Sequence, residues 1–515
     1  MRLSALAAAL KPVEVREFAD PEISSLEYDS RKAGPGSLFI ALPGLHVDGH
    51  TFIGAAIARG AAAIVHEKPI ENHIPGIVYF RVADARLAMA ELARAFWGNP
   101  SSSLAVIGVT GTEGKSTTVY LAWQLLNLAG RKAGFFSTVM SDTGSGEAPN
   151  PEHQTTPEAT SVQSMLASMR DSDCEYAVVE ASSHGLSTRT GRLAGVDFDA
   201  GVMTNVTSEH LEFHGTWEKY RSDKANLFRK LDEGSHRKLI LGRSLTVPSF
   251  GIVNADDPNA AYFAGATSKP VVTYSDRGGL ADFRALEIIS DMDGSSFSIA
   301  GPGHALIRAR INLPGKFNVG NSLAALAAVS GVTCIPWAEL LPRLPELKPV
   351  RGRMTRIDRG QPFELIVDYA HTPSSFEAIL PPLRERVRGR IFCLFGSGGE
   401  RDREKRPRQG RIAADWCDVL ILCDEDPRGE NPESLLEEIA AGCPELARGE
   451  RLFLIPDRPR AIRKAFALAA SDDLVLLLGK GHENSIIYAD RSIPYDEFAE
   501  AGKALAELGY DKETP

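Results

Sequence analysis

The strongest constraint on the fold is a glycine-rich loop between an apolar run and a helical stretch. The apolar run LAVIGV (104–109) leads into GVTGTEGKSTT (108–118), and the helical stretch VYLAWQLLNLAG follows. In such loops the backbone N–H groups turn toward phosphate oxygens, and the helix N-terminus adds partial positive charge. Five residues rather than the usual four separate Gly108 from Gly114, but residues 111–117 keep the groups that bind phosphate. The loop therefore predicts a parallel α/β nucleotide-binding domain.

Further apolar runs alternate with helical stretches along the chain. In the middle these runs are YAVVEAS, FDAGVMTNV and KLILG, and a more polar, strand-like stretch covers about 270–313. Five more lie toward the C-terminus: ELIVDYA, RIFCLFG, DVLILCDED, RLFLIPD and DLVLLLGKG. Such alternation is typical of βαβ units, and 515 residues are too many for one core. We expect an α/β protein of three domains: 1–100, 101–345 with a parallel-sheet ATPase fold, and 346–515 with a Rossmann-like fold.

Charge and composition narrow the function classes. A net charge of -10 argues against nucleic-acid binding, which needs a basic face. No apolar run reaches the ~18 residues of a membrane span, and the start MRLSALAAALKP is interpreted as a short helix rather than a signal peptide. The six cysteines form no C-x-x-C pair and are interpreted as thiols in a reducing compartment. We expect a cytoplasmic monomer whose partners are small molecules, with no nucleic acid and no membrane span.

Three polar residues downstream of the loop are candidates for a metal site beside the phosphates. Glu180 ends the run YAVVE, His210 lies in TNVTSEHLEFHG after another run, and Lys224 lies in a helical stretch. Oxygen and imidazole ligands at strand ends suit Mg²⁺, while Lys115 in the loop would reach the β- and γ-phosphates. Each downstream residue has a plainer alternative. Glu180 could cap a turn, His210 could cap a helix, and Lys224 could be a solvated lysine.

A series of motifs in one order resembles the Mur ligases. They are GTEGKSTT, TTPE (155–158), EASSHG (180–185), TNVTSEHLEFHGTWEKY (204–220), DKANLF, NADDP (254–258), LPGKFNVGNSLAA (313–325), VRGRM (350–354), VDYAHTP (367–373), FGSGGERDREKRP (395–407) and GKGHE (479–483). In the first block, DSRKAGPGSLFIALPGLHVDGH resembles the small uridine-binding α/β domain of the members that add diaminopimelate or lysine. The resemblance spans nearly the whole chain and implies an ATP-dependent ligase.

The resemblance implies Mg²⁺ as a cofactor and ATP as a co-substrate. In the family, a lysine at the position of Lys224 carries a carbamate formed with CO₂, which turns a cation into an anion that can bind the metal. The implied catalytic residues are Lys115, Glu180, His210 and Lys224, and the implied metal ligands are Ser116, Glu180, His210 and the carbamate on Lys224. The implied ATP contacts are Gly111, Thr112, Glu113, Gly114, Lys115, Ser116, Thr117, Asn318, Asn321, Arg353 and Asp368.

The resemblance also implies two substrate sites. The UDP-linked substrate would contact Tyr28, Ser30, Leu45, His46, Val47, Gln154, Thr155, Thr156, Ser182, Thr190 and Arg192, with Gln154 standing where an Asn is common. The amino acid would contact Arg401, Glu425, Asp426, Pro427, Arg428, Gly479 and Glu483. Diaminopimelate enzymes usually read Asp-Asn-Pro-Arg where this chain reads Glu-Asp-Pro-Arg. Arg428 can grip a distal carboxylate, which favours diaminopimelate, whereas the anion Asp426 suits a second ammonium and leaves lysine or ornithine open.

The implied reaction is amide formation through an acyl phosphate in cell-wall precursor synthesis. Phosphorylation of the D-glutamate side chain of the precursor would give the attacking amine a good leaving group. Other enzymes of the superfamily, such as a folylpolyglutamate synthase or a murein tripeptide-recycling ligase, are alternatives. A non-catalytic nucleotide-binding scaffold and a simple P-loop motor or switch protein are alternatives from other classes.

Overall fold

The computed structural model describes residues 1–17, 19–44, 47–150, 154–207, 211–291 and 293–511. These residues form two compact units. The first comprises Met1–Ile289, Ser296–Asn312 and Lys316–Leu347, and the second comprises Ser290–Ser295, Leu313–Gly315 and the chain from Lys348 onward. The predicted boundary near residue 345 lies close to the change of unit. The boundary near residue 100 lies inside the first unit and stays a prediction.

The first unit begins with a five-stranded sheet in the order β1-β5-β4-β3-β2. Its strands are β1 (Glu14–Arg16), β2 (Ser25–Glu27), β3 (Ser37–Ile40), β4 (Ala63–His66) and β5 (Val78–Arg81). Its helices are α1 (Leu3–Ala7), α2 (Ile53–Ala58) and α3 (Ala85–Phe96). Only β1 runs antiparallel to its neighbour among these pairs. Apolar clusters cover both faces, so this block has its own core.

An eleven-stranded sheet forms the rest of the first unit. Its strands are β6 (Ala105–Thr110), β7 (Ala133–Phe136), β8 (Met140–Asp142), β9 (Ala148–Pro149), β10 (Tyr176–Glu180), β11 (Ala200–Met203), β14 (Phe250–Asn254), β15 (Val271–Ser275), β16 (Phe283–Ser290), β17 (Ser295–Gly301) and β18 (His304–Ile311), and β12 (Arg237–Ile240) and β13 (Arg243–Thr246) form a separate hairpin. The order is β18-β17-β16-β15-β14-β11-β6-β10-β7-β8-β9. The strands from β15 to β7 in this order are parallel, as the alternation predicted for YAVVEAS and FDAGVMTNV. The prediction was wrong for the run KLILG, which forms β12 of the antiparallel hairpin and not a strand of this sheet.

The helices of this block pack around the parallel strands. They are α4 (Lys115–Leu128), α5 (Ala159–Asp171), α6 (Ser183–Leu186), α7 (Leu211–His214), α8 (Trp217–Glu233), α9 (Ala260–Ala264), α10 (Lys316–Thr333) and α11 (Trp337–Leu340). Because the central strands are buried on both faces, they read as continuous apolar runs rather than alternating ones. Among the described residues, no helix has the length and apolar character needed to cross a bilayer.

The second unit contains a six-stranded sheet in the order β19-β20-β24-β21-β22-β23. Its strands are β19 (Thr355–Arg356), β20 (Glu364–Asp368), β21 (Ile391–Phe395), β22 (Val419–Leu422), β23 (Leu452–Leu454) and β24 (Leu474–Leu478), and β25 (Ser485–Ile487) and β26 (Ser492–Pro494) form a hairpin. Its helices are α12 (Pro373–Arg386), α13 (Lys405–Trp416), α14 (Pro432–Ala440), α15 (Arg458–Leu468) and α16 (Glu497–Glu507). The five predicted apolar runs are the parallel strands β20 to β24, which confirms the α/β class of this block.

Candidate functional site

The glycine-rich loop connects β6 to α4 as predicted. Gly111 and Gly114 have φ values of +152° and +81°, which side chains rarely adopt. A Cβ on Gly111 would collide with Thr204 Oγ1, and one on Gly114 would lie 2.5 Å from Asn321 Oδ1. Conformation and crowding therefore both require glycine at these two positions.

The neighbouring chain holds one side of the loop in place. The N–H groups of Thr112 and Glu113 donate to the main-chain and side-chain oxygens of Asn205, at 2.8 and 2.9 Å. Lys115 Nζ donates to Thr112 O at 2.7 Å. Since the first N–H groups of a helix have no intrahelical acceptor, the first turn of α4, which includes Ser116 and Thr117, can donate to an anion.

Lys224 lies buried against this loop, with 2% of its surface exposed. Its Nζ donates to Gly111 O at 2.5 Å and lies 4.6 Å from the centre of the Tyr220 ring. The Tyr220 hydroxyl is in turn 3.0 Å from Thr112 Oγ1. The alternative of a solvated helix lysine is therefore wrong, because helix α8 carries this side chain to the phosphate loop.

Glu180 is buried at the end of β10, on the strand next to the one that leads into the loop. Its carboxylate accepts hydrogen bonds from Thr138 N at 2.8 Å and Thr138 Oγ1 at 3.0 Å. The following helix is capped instead by Ser182, which accepts from Gly185 N. The alternative that Glu180 caps this turn is therefore wrong. His210 lies outside the described residues, and those described contain no group of three His, Cys, Asp or Glu that could hold a metal.

Two predicted ATP contacts lie on α10 beside the loop. Asn318 and Asn321 are buried in the first two turns of this helix, and Asn321 Nδ2 donates to Asn318 Oδ1 at 3.2 Å. Thr118 Oγ1 donates to Asn321 Oδ1 at 3.3 Å, which joins α10 to α4. The two asparagines therefore lie next to the phosphate loop although about 200 residues separate them from it.

The predicted contacts for the acyl acceptor form a cluster behind Glu180. Thr156 Oγ1 donates to Glu180 O at 3.0 Å and lies 2.9 Å from Ser182 Oγ. Arg192 donates to Thr156 O at 2.9 Å and to Glu158 Oε1 at 2.8 Å. Of the remaining members, Thr155 Oγ1 accepts a hydrogen bond from Thr138 Oγ1. Thr190 Oγ1 donates to the carbonyl oxygens of His184 and Ser187. Gln154 is exposed.

The predicted uridine contacts lie in the first sheet block. Tyr28 and Ser30 follow β2 in the chain. The Tyr28 side chain is exposed, and Ser30 is half-buried. Val47 is exposed. Leu45 and His46 lie outside the described residues.

A buried chain of three side chains escaped the sequence interpretation. His214 Nδ1 lies 2.9 Å from Asp223 Oδ2, and His214 Nε2 lies 3.1 Å from Ser183 Oγ. Burial would raise the pKa of Asp223, but hydrogen bonds from His214 and Lys219 outweigh burial and lower it. These hydrogen bonds connect Ser183, which follows Ser182, with Asp223, which precedes Lys224. The only local signal in the sequence was the pair His214-Gly215.

In the second unit, Asp368 fixes the segment that carries Arg353. Asp368 accepts from Met354 N at 2.6 Å and from Ala370 N at 2.7 Å. Burial raises the pKa of Asp368 although the Arg353 charge opposes the rise. The Arg353 guanidinium lies 4.8 Å from the centre of the Tyr369 ring. Asp368 therefore fixes the backbone next to Arg353, and the Tyr369 ring lies against the Arg353 guanidinium.

The predicted amino-acid motif centres on a lysine that sequence reasoning did not single out. The buried Lys480 Nζ lies 2.9 Å from Asp426 Oδ1 and 2.5 Å from Glu483 Oε2. Burial would lower the pKa of Lys480, but the charges of Glu483 and Asp426 outweigh burial and raise it. Ile487 N also donates to Asp426 Oδ1, at 3.0 Å. Asp426 is therefore paired within the protein.

Two polar atoms of the same motif are buried without a hydrogen-bond partner in the described part of the chain, Glu425 Oε2 and Arg428 Nε. A Cβ on Gly479 would lie 2.9 Å from Glu425 Oε2, so glycine makes room for this carboxylate. Arg428 has a φ of +54°, and its N–H donates to Ile487 O at 2.9 Å. A half-buried anion and a half-buried cation, each with one buried atom that has unused capacity, can together bind a zwitterion. Pro427 lies between them in the sequence. Its carbonyl oxygen occupies the space that a Cβ on Gly399 would need.

Arg401 is exposed on a loop whose backbone is hydrogen-bonded by other side chains. The buried Arg406 donates to Gly398 O at 3.2 Å and pairs with Glu430 at 2.8 Å. The Glu400 N–H donates to the same Glu430, and the Arg406 hydrogen bond lowers the pKa of Glu430 to about 2. The pair therefore joins the Arg401 loop to the segment that follows Arg428.

Three family models match successive parts of the chain. They are "Mur ligase family, catalytic domain" over residues 22–97, "Mur ligase middle domain" over 109–329 and "Mur ligase, glutamate ligase domain" over 352–481. A solved structure of a UDP-N-acetylmuramoyl-L-alanyl-D-glutamate–2,6-diaminopimelate ligase superposes with a TM-score of 0.65 at 28% identity, covering 99% of this chain and 100% of that chain. The three-domain fold expected from the sequence is thereby confirmed.

Curated relatives match over almost the full length. A UDP-N-acetylmuramyl-tripeptide synthetase of Treponema denticola is 51% identical, covering 99% of each chain. A UDP-N-acetylmuramoyl-L-alanyl-D-glutamate–2,6-diaminopimelate ligase of Geobacillus thermodenitrificans is 39% identical, covering 98% of this chain and 100% of its own. With this phosphate loop and these relatives, the chain belongs to the Mur ligase family and is an ATP-dependent, ADP-forming ligase of peptidoglycan synthesis.

Proposed function

We propose that this ligase adds a diamino acid to the D-glutamate side chain of UDP-N-acetylmuramoyl-L-alanyl-D-glutamate. Relatives named as tripeptide synthetases and as a 2,6-diaminopimelate ligase support this acceptor and this kind of amine. The observation that carries the proposal is the burial of Lys224 against Gly111 O, next to the strand that ends in Glu180.

The reaction divides between phosphoryl transfer and amide formation. The carboxylate oxygen attacks the γ-phosphorus of ATP, the bond to ADP breaks, and an acyl phosphate forms. The neutral amine then attacks the acyl carbon, and phosphate leaves with the electrons of the C–O bond while the amine proton is lost. The N–H groups of the first turn of α4 and the Lys115 ammonium stabilise charge on the transferring group.

Ser116 and Glu180 would offer oxygen ligands to a bound Mg²⁺, and a carbamate on Lys224 would add another, whereas the Lys224 ammonium would repel a dication. His210, outside the described residues, is proposed as an imidazole ligand from the resemblance alone. When bound, the metal would neutralise phosphate oxygens. CO₂ adds to the unprotonated Nζ and one proton leaves, so that the nitrogen near Gly111 O gains a carboxylate.

The ATP and precursor contacts outside the loop are part of the same proposal. Asn318, Asn321, Arg353 and Asp368 are proposed to contact the nucleotide. Thr155, Thr156, Ser182, Thr190 and Arg192 are proposed to hold the acyl acceptor near Glu180, with the uridine near Tyr28, Ser30 and Val47. We further propose a cytoplasmic location and a monomeric state. Sedimentation of the purified chain would test the monomeric state.

We propose meso-diaminopimelate as the added amino acid. Arg428 carries the support, because its buried Nε has capacity left and a guanidinium pairs bidentately with a carboxylate. Only diaminopimelate among the three candidates has a distal carboxylate.

The anion Asp426 supports L-lysine or L-ornithine as the second candidate. A carboxylate near the distal group of the amino acid favours an ammonium there over a second carboxylate. Arg401, Arg428 and Lys480 balance Glu425, Asp426 and Glu483 in charge, so the support comes from Asp426 and not from a net charge of the motif.

One assay separates these proposals from their alternatives. ADP formation is measured with ATP, the UDP-linked dipeptide and each of the three amino acids at equal concentration. The proposed function requires both substrates for ADP formation, and ATP turnover without them would point to a P-loop ATPase instead. Arg428→Ala should reduce turnover of diaminopimelate about tenfold to a hundredfold and leave lysine and ornithine little changed. Equal losses for all three would overturn the assignment of Arg428.

A further inference from the structure

An exposed hairpin in the first unit lies outside both of the sites described above. Its strands β12 and β13 pair antiparallel, with Ile240 opposite Arg243, and form a sheet of their own. Lys238 and Ile240 face inward and are buried. Lys238 Nζ donates to Ser101 O at 2.7 Å and lies 3.2 Å from Asp199 Oδ2. These contacts fix the base of the hairpin and leave its tip to solvent.

The tip carries a leucine where the turn favours other residues. Leu241 and Gly242 connect the two strands with φ values of +47° and +74°, which is the pattern of a type I′ turn. Asn or Asp before Gly is preferred in such turns, because the left-handed conformation is costly for a leucine. Leu241 is also 53% exposed, so the core gains little from it. Neither the turn nor the core explains a leucine at this position.

The hairpin combines exposed apolar and basic side chains. Leu239 is 56% exposed and Leu245 is 45% exposed, and Arg237 and Arg243 are exposed beside them. No Asp or Glu occurs between Glu233 and Asp256, although the chain as a whole has a net charge of -10. Single exposed leucines are ordinary, but three on a ten-residue hairpin with two arginines are not. Apolar tips flanked by basic residues match the chemistry of an anionic lipid surface.

We propose that the hairpin 237–246 docks reversibly on an anionic bilayer. Leu239 and Leu241 enter the headgroup region, whereas Leu245, opposite Lys238, lies on the inward face of the hairpin. Arg237 and Arg243 lie at the level of the lipid phosphates. No part of the chain spans the bilayer in this arrangement. The inference is independent of the ligase reaction, because it rests on the geometry and charge of the hairpin.

Vesicle sedimentation of the full chain tests the proposal. The probe is a mixture of phosphatidylcholine and phosphatidylglycerol, with pure phosphatidylcholine for comparison. The expected result is binding to the anionic vesicles that salt weakens, and a loss of about tenfold in Leu241→Asn, because burial of one leucine is lost. Asparagine suits the turn, so the thermal midpoint of this variant should equal or exceed that of the wild type.

Matched control variants separate docking through the hairpin from nonspecific apolar adsorption and from self-association. Leu280→Asn replaces a leucine that is 92% exposed elsewhere in the first unit and should bind vesicles as the wild type does. Arg243→Gln should weaken binding to anionic vesicles and reduce its salt dependence, while Arg237 keeps the remainder. Three results would overturn the proposal: no vesicle binding by the wild type, equal losses in Leu241→Asn and Leu280→Asn, or a wild-type dimer in light scattering that Leu241→Asn dissociates without any vesicle binding.

Discussion

Two buried lysines, one in each unit, differ in the groups that surround the ammonium. Lys224 Nζ donates to Gly111 O at 2.5 Å and lies 4.6 Å from the centre of the Tyr220 ring. Lys480 Nζ lies between the carboxylates of Asp426 and Glu483. Two carboxylates stabilise the Lys480 ammonium strongly in this buried setting.

The two carboxylates at Lys480 teach which lysine stays unmodified. CO₂ combines with an unprotonated amine, and the raised pKa of Lys480 keeps its amine protonated. Lys480 therefore keeps a fixed positive charge that pairs with Asp426 and Glu483 of the amino-acid motif. Lys224, beside the phosphate loop, is the proposed carbamate carrier. The variants below break or sharpen this contrast, from the largest expected effect to the smallest.

Lys224→Ala should lower the rate of ADP formation by roughly 10³-fold, because the proposed anion at the metal is lost. A short carboxylic acid in the buffer should restore part of the rate by replacing the carbamate. A ¹³C carbamate signal from labelled bicarbonate should disappear in this variant and persist in Lys480→Met. Unchanged turnover in Lys224→Ala would falsify the proposed role of the residue.

Lys480→Met should lower the free energy of unfolding by about 3–5 kcal/mol, because the buried Asp426 and the half-buried Glu483 lose their cation. Urea unfolding measures the change. Lys503→Met is the matched control, since Lys503 pairs with Glu500 on an exposed helix face and should contribute less than about 1 kcal/mol. A short carboxylic acid should not restore activity to Lys480→Met, and restoration would remove the contrast between the two lysines.

The stability that Lys480 contributes should depend on pH in one direction. Its folded-state pKa is raised, so its contribution is fully present below the unfolded-state value of about 10.4 and is lost as the pH rises through the folded-state value. The difference in unfolding free energy between wild type and Lys480→Met should thus stay constant from neutral pH to about 10 and shrink above it. A difference that shrinks on acidification toward pH 7 would contradict this assignment.

Asp426→Asn should destabilise the protein less than Lys480→Met does, because Lys480 keeps Glu483 as a partner. Removal of one negative charge near the amino-acid site should shift preference toward diaminopimelate by no more than about tenfold. The ratio of turnover with diaminopimelate to turnover with ornithine measures this shift. A shift toward ornithine would argue against an electrostatic effect of Asp426 on the choice of amino acid.

The contacts of Asp426 show the limit of interpretation from sequence. The Glu-Asp-Pro-Arg motif suggested an anion facing the substrate, yet Asp426 pairs with Lys480, 54 residues further along. His214 and Asp223 likewise join Ser183 across 31 or more residues. No spacing rule reveals such pairs, because they form only when separate strands and helices pack together.

The sequence by itself determined the parallel α/β architecture, the loop with its glycines and the burial of the strands, because apolar periodicity and turn chemistry act over a few residues. The tertiary structure alone decided which charges meet. It buried Lys224 at Gly111 and Lys480 between two carboxylates. The energy of a charge depends on its distance to others and on burial, and both are set by contacts between segments far apart in the chain.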